Sequence, residues 1–204
     1  MNATARELKS LVNEIAACRI CRDSRVKPLP HEPRPVLQPS TTARILIASQ
    51  APGTRVHGSG KPFTDPSGDR LRIWLGIGSE EFYDARRIAI VPMGFCFPGL
   101  SEKGGDLPPR TECAKAWRAR ILAAMPQIEL IVAVGGYALR WHMGGQYGAS
   151  LHDTVTAWRA GLAFSPPVLA LPHPSWRNNA WLKRNPWFET ELLPVLRREV
   201  AARL

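Results

Sequence analysis

The sequence predicts a three-layer α/β/α sandwich around a central four-stranded parallel sheet. Three observations lead there. Four short, continuous apolar runs, Arg44–Ser49, Ile88–Pro92, Leu130–Val134 and Val168–Leu171, read as strands buried on both faces. Helical stretches near 67–77, 111–125 and 136–143 alternate with them, as a parallel sheet covered on both sides requires. Each run also ends in an unusual sequence: SQAPG, PMGFC, VGGYA and PHPSW in chain order. Sheets of this kind bind ligands at the carboxyl ends of their strands. Gln50, Cys96, Gly135 and His173 are therefore expected along one edge.

The elements follow in order. Residues 4–17 carry Leu8, Leu11, Val12 and Ile15 on one face with charges opposite, the pattern of an amphipathic helix. Residues 28–42 (PLPHEPRPVLQPSTT) hold too many prolines for a helix and read as an extended connector. The first strand closes at the turn Gln50-Ala51-Pro52-Gly53. The second closes at Met93-Gly94-Phe95-Cys96, the third at Gly135-Gly136, the fourth at His173. The last helix is expected over 186–203, with Pro186 at its first position and Phe188, Leu192, Val195 and Leu196 apolar. A chain of 204 residues is expected to form one domain, with residues 1–43 packed on it.

Composition narrows the partners. The chain holds 27 Lys and Arg against 17 Asp and Glu, a formal charge of +10, and only six of the cations are Lys. Arg forks fit phosphate oxygens, so the excess points to nucleic acid. A GC-rich genome enriches Arg, Ala and Pro equally well. No apolar run reaches the roughly 18 residues of a membrane span. The first fifteen residues carry Arg6, Glu7, Lys9 and Glu14 and no apolar stretch, so a cytoplasmic protein without membrane association is expected. A monomer is the expected state.

Cys18 and Cys21 form a C-x-x-C pair after a helix, while Cys96 and Cys113 lie far along the chain. A thioredoxin motif would follow a strand, and a reducing compartment argues against two structural disulfides. Zinc, an iron–sulfur cluster, or ordinary buried cysteines at 96 and 113 remain open on these residues alone.

Taken together, SQAPG, GKPFTDPSGDRL and the single His of HPSW resemble the uracil-DNA glycosylase superfamily. The closest likeness is to its family 4 iron–sulfur type, of which the chain looks like a divergent branch. The counterparts run in order over about residues 10–185: C-x-x-C after a helix, the A-P-G turn, the G-x-P-F segment, a third and fourth Cys around a proline-bearing loop, and H-P-S. The resemblance implies a [4Fe–4S] cluster on Cys18, Cys21, Cys96 and Cys113, with zinc as the rival, and excision of uracil or a related deaminated base from DNA. Three positions depart from the pattern. Ser49 begins the first motif, where the family usually has Gly. Gln50 stands where family 4 has Glu and cannot serve as an ionised base. Pro92 or Met93 stands where the family carries an Asn near uracil.

Base excision needs a flipped nucleotide, a stacking face, a donor for the charge on the departing base, and a group to handle water. Phe63, in a Gly/Pro/Asp loop, is the expected stacking face. Ala51, Pro52, Gly53 and Met93 are the other expected substrate contacts. His173, between two prolines, is expected to donate a hydrogen bond to a base carbonyl. Asp65 either orients or deprotonates water or is a turn and N-cap residue. Gln50 either positions water through its amide or braces the turn. Ser175, Arg177, Lys183 and Arg184, interleaved with Trp176 and Trp181, are expected to meet DNA, along with Arg55 and the backbone of Gly135. The competing reading is a metal- or iron–sulfur-containing DNA-binding module without excision.

Overall fold

Strands apolar along their whole length need cover on both faces, and the chain supplies it. In the computed structural model, which describes residues 3–204, β1 (Ile45–Ala48), β2 (Ile88–Ile90), β3 (Leu130–Val134) and β4 (Val168–Leu171) form one sheet in the order β2-β1-β3-β4. Every pairing is parallel: Ile45 lies opposite Ile88 and Leu130, and Ile131 opposite Val168. All residues of the four strands are buried. With helices packed around the sheet, the predicted α/β/α sandwich is the observed fold.

The first helix, α1 (Ala3–Ala16), buries Leu8, Leu11 and Ile15, and its Glu14 meets Arg120 at 2.7 Å. The proline-rich connector does not wander. It runs antiparallel along the edge of β2, where the Gln38 N–H donates to the Ile90 carbonyl at 2.7 Å and the Ile90 N–H donates back at 2.8 Å. The connector thus satisfies backbone groups that an edge strand would otherwise leave open.

Two short helices, α2 (Thr54–Ser59) and α3 (Pro66–Leu75), follow β1, and α4 (Ser79–Tyr83) leads into β2. The predicted helix 111–125 is observed with a π-helical turn in its middle. It comprises α5 (Thr111–Cys113), the turn Ala114–Arg118 and α6 (Ala119–Ala123). Arg118, on that turn, is fully buried. Its guanidinium donates to the carbonyls of Val91 and Pro92 at 2.8 and 3.0 Å and to Nε2 of His142 at 2.6 Å. Burial lowers Arg118 to about 10, still cationic, and burial beside that cation lowers His142 to about 3, which leaves Nε2 free to accept. The end of β2 is thereby anchored from behind.

The helix α7 (Gly136–Met143) starts directly after β3, and α8 (Leu151–Thr156) precedes β4. After β4 come a short 3-10 turn (Trp176–Asn178) and α9 (Asn179–Arg184). The predicted C-terminal helix begins as a π turn (Phe188–Leu192) and continues as α10 (Leu193–Ala201). Arg197 of α10 donates to the carbonyls of Ile73 and Trp74, closing the end of α3. No helix among the described residues is long and apolar enough to cross a membrane.

Candidate active site and nucleic-acid interface

The carboxyl ends of β1, β2 and β4 open onto one pocket. It has about 520 Å3 of empty space, with solvent at its mouth included. Val36, Val56, Phe63, Ile90 and Pro92 give it apolar walls, and Ser49, Asp65, Ser67, Asp106 and His173 give it polar groups. The pocket adjoins a wider cleft rimmed by Gln50, Arg55, Arg70, Ser175, Trp176 and Arg177. Ala51, Pro52, Gly53, Asp65, Ser67, Asp106 and His173 line both spaces and so mark the seam between them.

His173 follows β4 between two buried prolines. Its carbonyl accepts from Nδ2 of Asn178 at 2.7 Å, which fixes the backbone. Neither ring nitrogen has a hydrogen-bond partner among the described residues, so the ring can serve a ligand. Burial lowers its pKa; Asp65 acts the other way and Arg177 adds to the lowering. The imidazole is neutral near pH 7 and has one N–H to donate.

Phe63 takes a left-handed backbone conformation, φ 55°, uncommon for a residue with a side chain. Its carbonyl is held by the Tyr83 hydroxyl at 3.1 Å and the Arg72 guanidinium at 3.4 Å. Its ring is 8% exposed, meets Phe82 edge-on at 5.8 Å and walls the pocket, so it is core and pocket wall at once. Asp65 also combines both of its sequence readings. It is the N-cap of α3, with Oδ1 accepting from the Gly68 N–H at 3.3 Å, and it faces the pocket.

Other expected residues are placed differently. Gln50 lines the cleft but not the smaller pocket; its side chain lies over Gly135, where a Cβ would meet Nε2 at 2.6 Å. Gly135 has φ 82°, so a glycine is required there twice over. Met93 is buried and does not line the pocket; Pro92 takes that place. Arg55, Ser175 and Arg177 rim the cleft as expected. Lys183 and Arg184 are exposed on α9 and line neither space. Trp176 is 73% exposed beside Arg177, whose guanidinium lies 5.8 Å from the indole. Arg70 braces the loop after β4, donating to the Ser175 carbonyl and to Oδ1 of Asn179.

Three pocket groups escaped the sequence reading. Ser49 and Ser67 are buried hydroxyls without a hydrogen bond to other described residues. Asp106 belongs to a tight hairpin in a loop that reads as irregular: the Leu107 N–H reaches the Gly99 carbonyl at 2.9 Å and the Ser101 N–H reaches that of Gly105 at 2.7 Å. The GGD sequence signals the turn but not that Asp106 comes to lie against Gly53 in the turn after β1.

A separate apolar cavity is lined by all four cysteines, with Ile15, Leu29, Phe95 and Trp117 among its walls. The Phe95 N–H donates to Sγ of Cys113 and Nε1 of Trp117 donates to Sγ of Cys18, both at 3.3 Å. Burial pushes the Cys96 thiol up to about 11 and that of Cys113 up to about 12. No group of three or more His, Cys, Asp or Glu side chains among the described residues is set to hold a metal ion. What the four thiols share is the lining of this one cavity.

The model of one protein family, the uracil DNA glycosylase superfamily, matches residues 36–197. The matched stretch takes in all four strands, the pocket, Cys96 and Cys113, and leaves Cys18 and Cys21 outside it.

Proposed function

Because the chain belongs to the uracil DNA glycosylase superfamily, with its glycosylase-type function on DNA, we propose that it excises uracil or a related deaminated base. The reaction is hydrolysis of the N-glycosidic bond of a nucleotide flipped out of the stack. The observation that carries this reading is the convergence of His173, Asp65 and Phe63 on one pocket that opens into an arginine-rimmed cleft. A flipped base would stack on Phe63 and lie between the apolar walls. His173 would donate its N–H to a base carbonyl, where negative charge grows as the bond breaks. Asp65 would place negative charge near the sugar, where positive charge develops. Arg55 and Arg177 would take the flanking phosphates, with Trp176 the exposed aromatic beside the vacated stack.

Gel assays on oligonucleotides that each carry one deaminated base, single- and double-stranded, test the reading. Release of free base from at least the uracil substrate is expected. Tight, salt-dependent binding with no release from uracil, hypoxanthine or xanthine substrates would replace it with a binding module.

We also propose that Cys18, Cys21, Cys96 and Cys113 hold a [4Fe–4S] cluster. The support is the shared apolar cavity and the two N–H donors on sulfur. The cluster would supply a covalent tie between the segment after α1 and the loop after β2, not a step of the excision. Purified protein should be brown, with broad absorption near about 400 nm and iron bound. A colourless protein with one zinc per chain would reject the cluster.

A further inference from the structure

The excision proposed above still lacks a proton acceptor for the attacking water. Gln50 cannot ionise and lies over Gly135. Asp65 has one oxygen occupied by the Gly68 N–H. The remaining carboxylate on the pocket is Asp106, which no motif in the sequence singles out.

Its place is the relevant one. Once a base is inside the pocket and the phosphates are in the cleft, C1′ must lie at the seam between them. Asp106 lines both spaces. Its side chain makes no hydrogen bond among the described residues, so both oxygens are free to accept. It is nonetheless held in position. The hairpin pairs Leu100 with Asp106, and the carboxylate rests against Gly53, where a Cβ would come within 3.0 Å of Oδ2. Glycine at 53 thus makes room for it, and the first strand-end turn and the hairpin are fitted together. The Arg177 guanidinium crosses from the loop after β4 to the same hairpin, close to Gly105. The charged and titratable groups facing Asp106 are therefore Arg177, Asp65 and His173. Partial desolvation, with Asp65 adding to it, lifts the Asp106 carboxyl above its ordinary value, and Arg177 opposes the rise. A more basic carboxylate is a better acceptor at neutral pH.

We propose that Asp106 is the catalytic base of this site and that Asp65 chiefly caps α3 and supplies charge. The inference rests on reading the pocket as a base-excision site. In the step, the C1′–N bond breaks and its electron pair leaves on the base. The water oxygen forms the new bond to C1′, and one water proton passes to the Asp106 carboxylate. That proton returns through solvent to the departed base anion, which restores the carboxylate.

The test is single-turnover base release from a uracil oligonucleotide by the full chain. Wild type, Asp106→Asn and Asp65→Asn are compared, with oligonucleotide affinity and thermal melting measured alongside. Asp106→Asn should slow release by about a hundredfold. Its affinity should be unchanged or tighter, since a negative charge is removed near phosphate, and its melting should be unchanged, since no hydrogen bond is lost. The wild-type rate should fall on the acid side as Asp106 takes up a proton, and this limb should be missing from the Asn variant. Asp65→Asn should leave melting nearly unchanged, since an amide oxygen caps a helix about as well as a carboxylate, with a smaller loss of rate. If Asp106→Asn keeps most of the wild-type rate, or if Asp65→Asn alone abolishes release, the assignment is overturned while the excision reading stands. A wild-type protein that releases no base overturns the excision reading and this assignment with it.

Discussion

Replacing His173 by alanine is expected to slow base release by about a hundredfold to a thousandfold, with little change in DNA affinity. The size follows from what the ring can do. Its nitrogens have no hydrogen-bond partner among the described residues, and it lines the pocket where a base carbonyl would sit. A hydrogen bond to that oxygen is weak while the base is neutral and strengthens as charge arrives, so it accelerates the reaction more than it aids binding. The phosphate contacts proposed for Arg55 and Arg177 would dominate affinity and would be untouched by the change. His173→Gln should keep part of the rate, because an amide also offers an N–H. Single-turnover kinetics beside oligonucleotide titration separate the two quantities. A His173→Ala protein that cleaves at the wild-type rate would remove His173 from the chemistry.

The same residue has a pH signature. Burial lowers the folded-state pKa of His173 below its ordinary value of 6.5. Between those two values the unfolded chain binds a proton that the folded chain does not. Stability therefore rises with pH through that window and is flat above 6.5 as far as this group is concerned. His173→Ala should lose that part of the acid sensitivity. Melting curves recorded at a series of pH values down from neutrality read it directly.

The sheet was legible because a parallel strand buried on both faces must be apolar at every position, and Leu130–Val134 is apolar throughout. The helices α2, α4, α8 and α9 were not anticipated. Helices of five or six residues complete too few turns to display a period, and α2 buries only Val56. Arg118 illustrates a different blindness. In AKAWRARILAA it reads as one more basic residue on a helix surface, and it is the carbonyls of Val91 and Pro92 and the ring of His142, all distant in sequence, that satisfy it when buried.

The site divides along the same line. His173, Phe63 and Asp65 stand out because each follows a strand or sits where glycine and proline crowd a short loop. Lys183 and Arg184 are close to His173 in sequence, but they sit on α9 beyond the 3-10 turn Trp176–Asn178 and are not among the residues that line the cleft. Asp106 errs in the opposite sense. It is about fifty residues from Gly53 along the chain, yet its carboxylate rests against that glycine. A turn sequence announces a reversal of direction without saying what the reversed segment will face.

The second large effect should come from Gly68→Ala, where two rules oppose each other. Gly68 lies in the first turn of α3, two residues after Pro66. Helix propensity alone favours alanine there by about 1 kcal/mol. Sterics decide against it. A Cβ at position 68 would lie 1.9 Å from the Phe63 carbonyl oxygen, against about 3.3 Å for an ordinary contact. The obstructing atom is backbone, so no side-chain rotation relieves it. That carbonyl is also fixed by the Tyr83 hydroxyl at 3.1 Å and by Arg72 at 3.4 Å, and Phe63 already sits at φ 55°. Moving it means breaking those bonds and shifting the pocket wall. Forced overpacking of this kind costs about 1–3 kcal/mol and more where backbone must move, which exceeds the propensity gain. A net loss of about 2 kcal/mol should lower the melting temperature by roughly 4–8 °C in a chain of this size. Base release should fall as well, because the Phe63 ring moves with its backbone. A Gly68→Ala protein that melts at or above the wild-type temperature would mean that the loop yields freely, and Phe63 would then not be a rigid stacking wall.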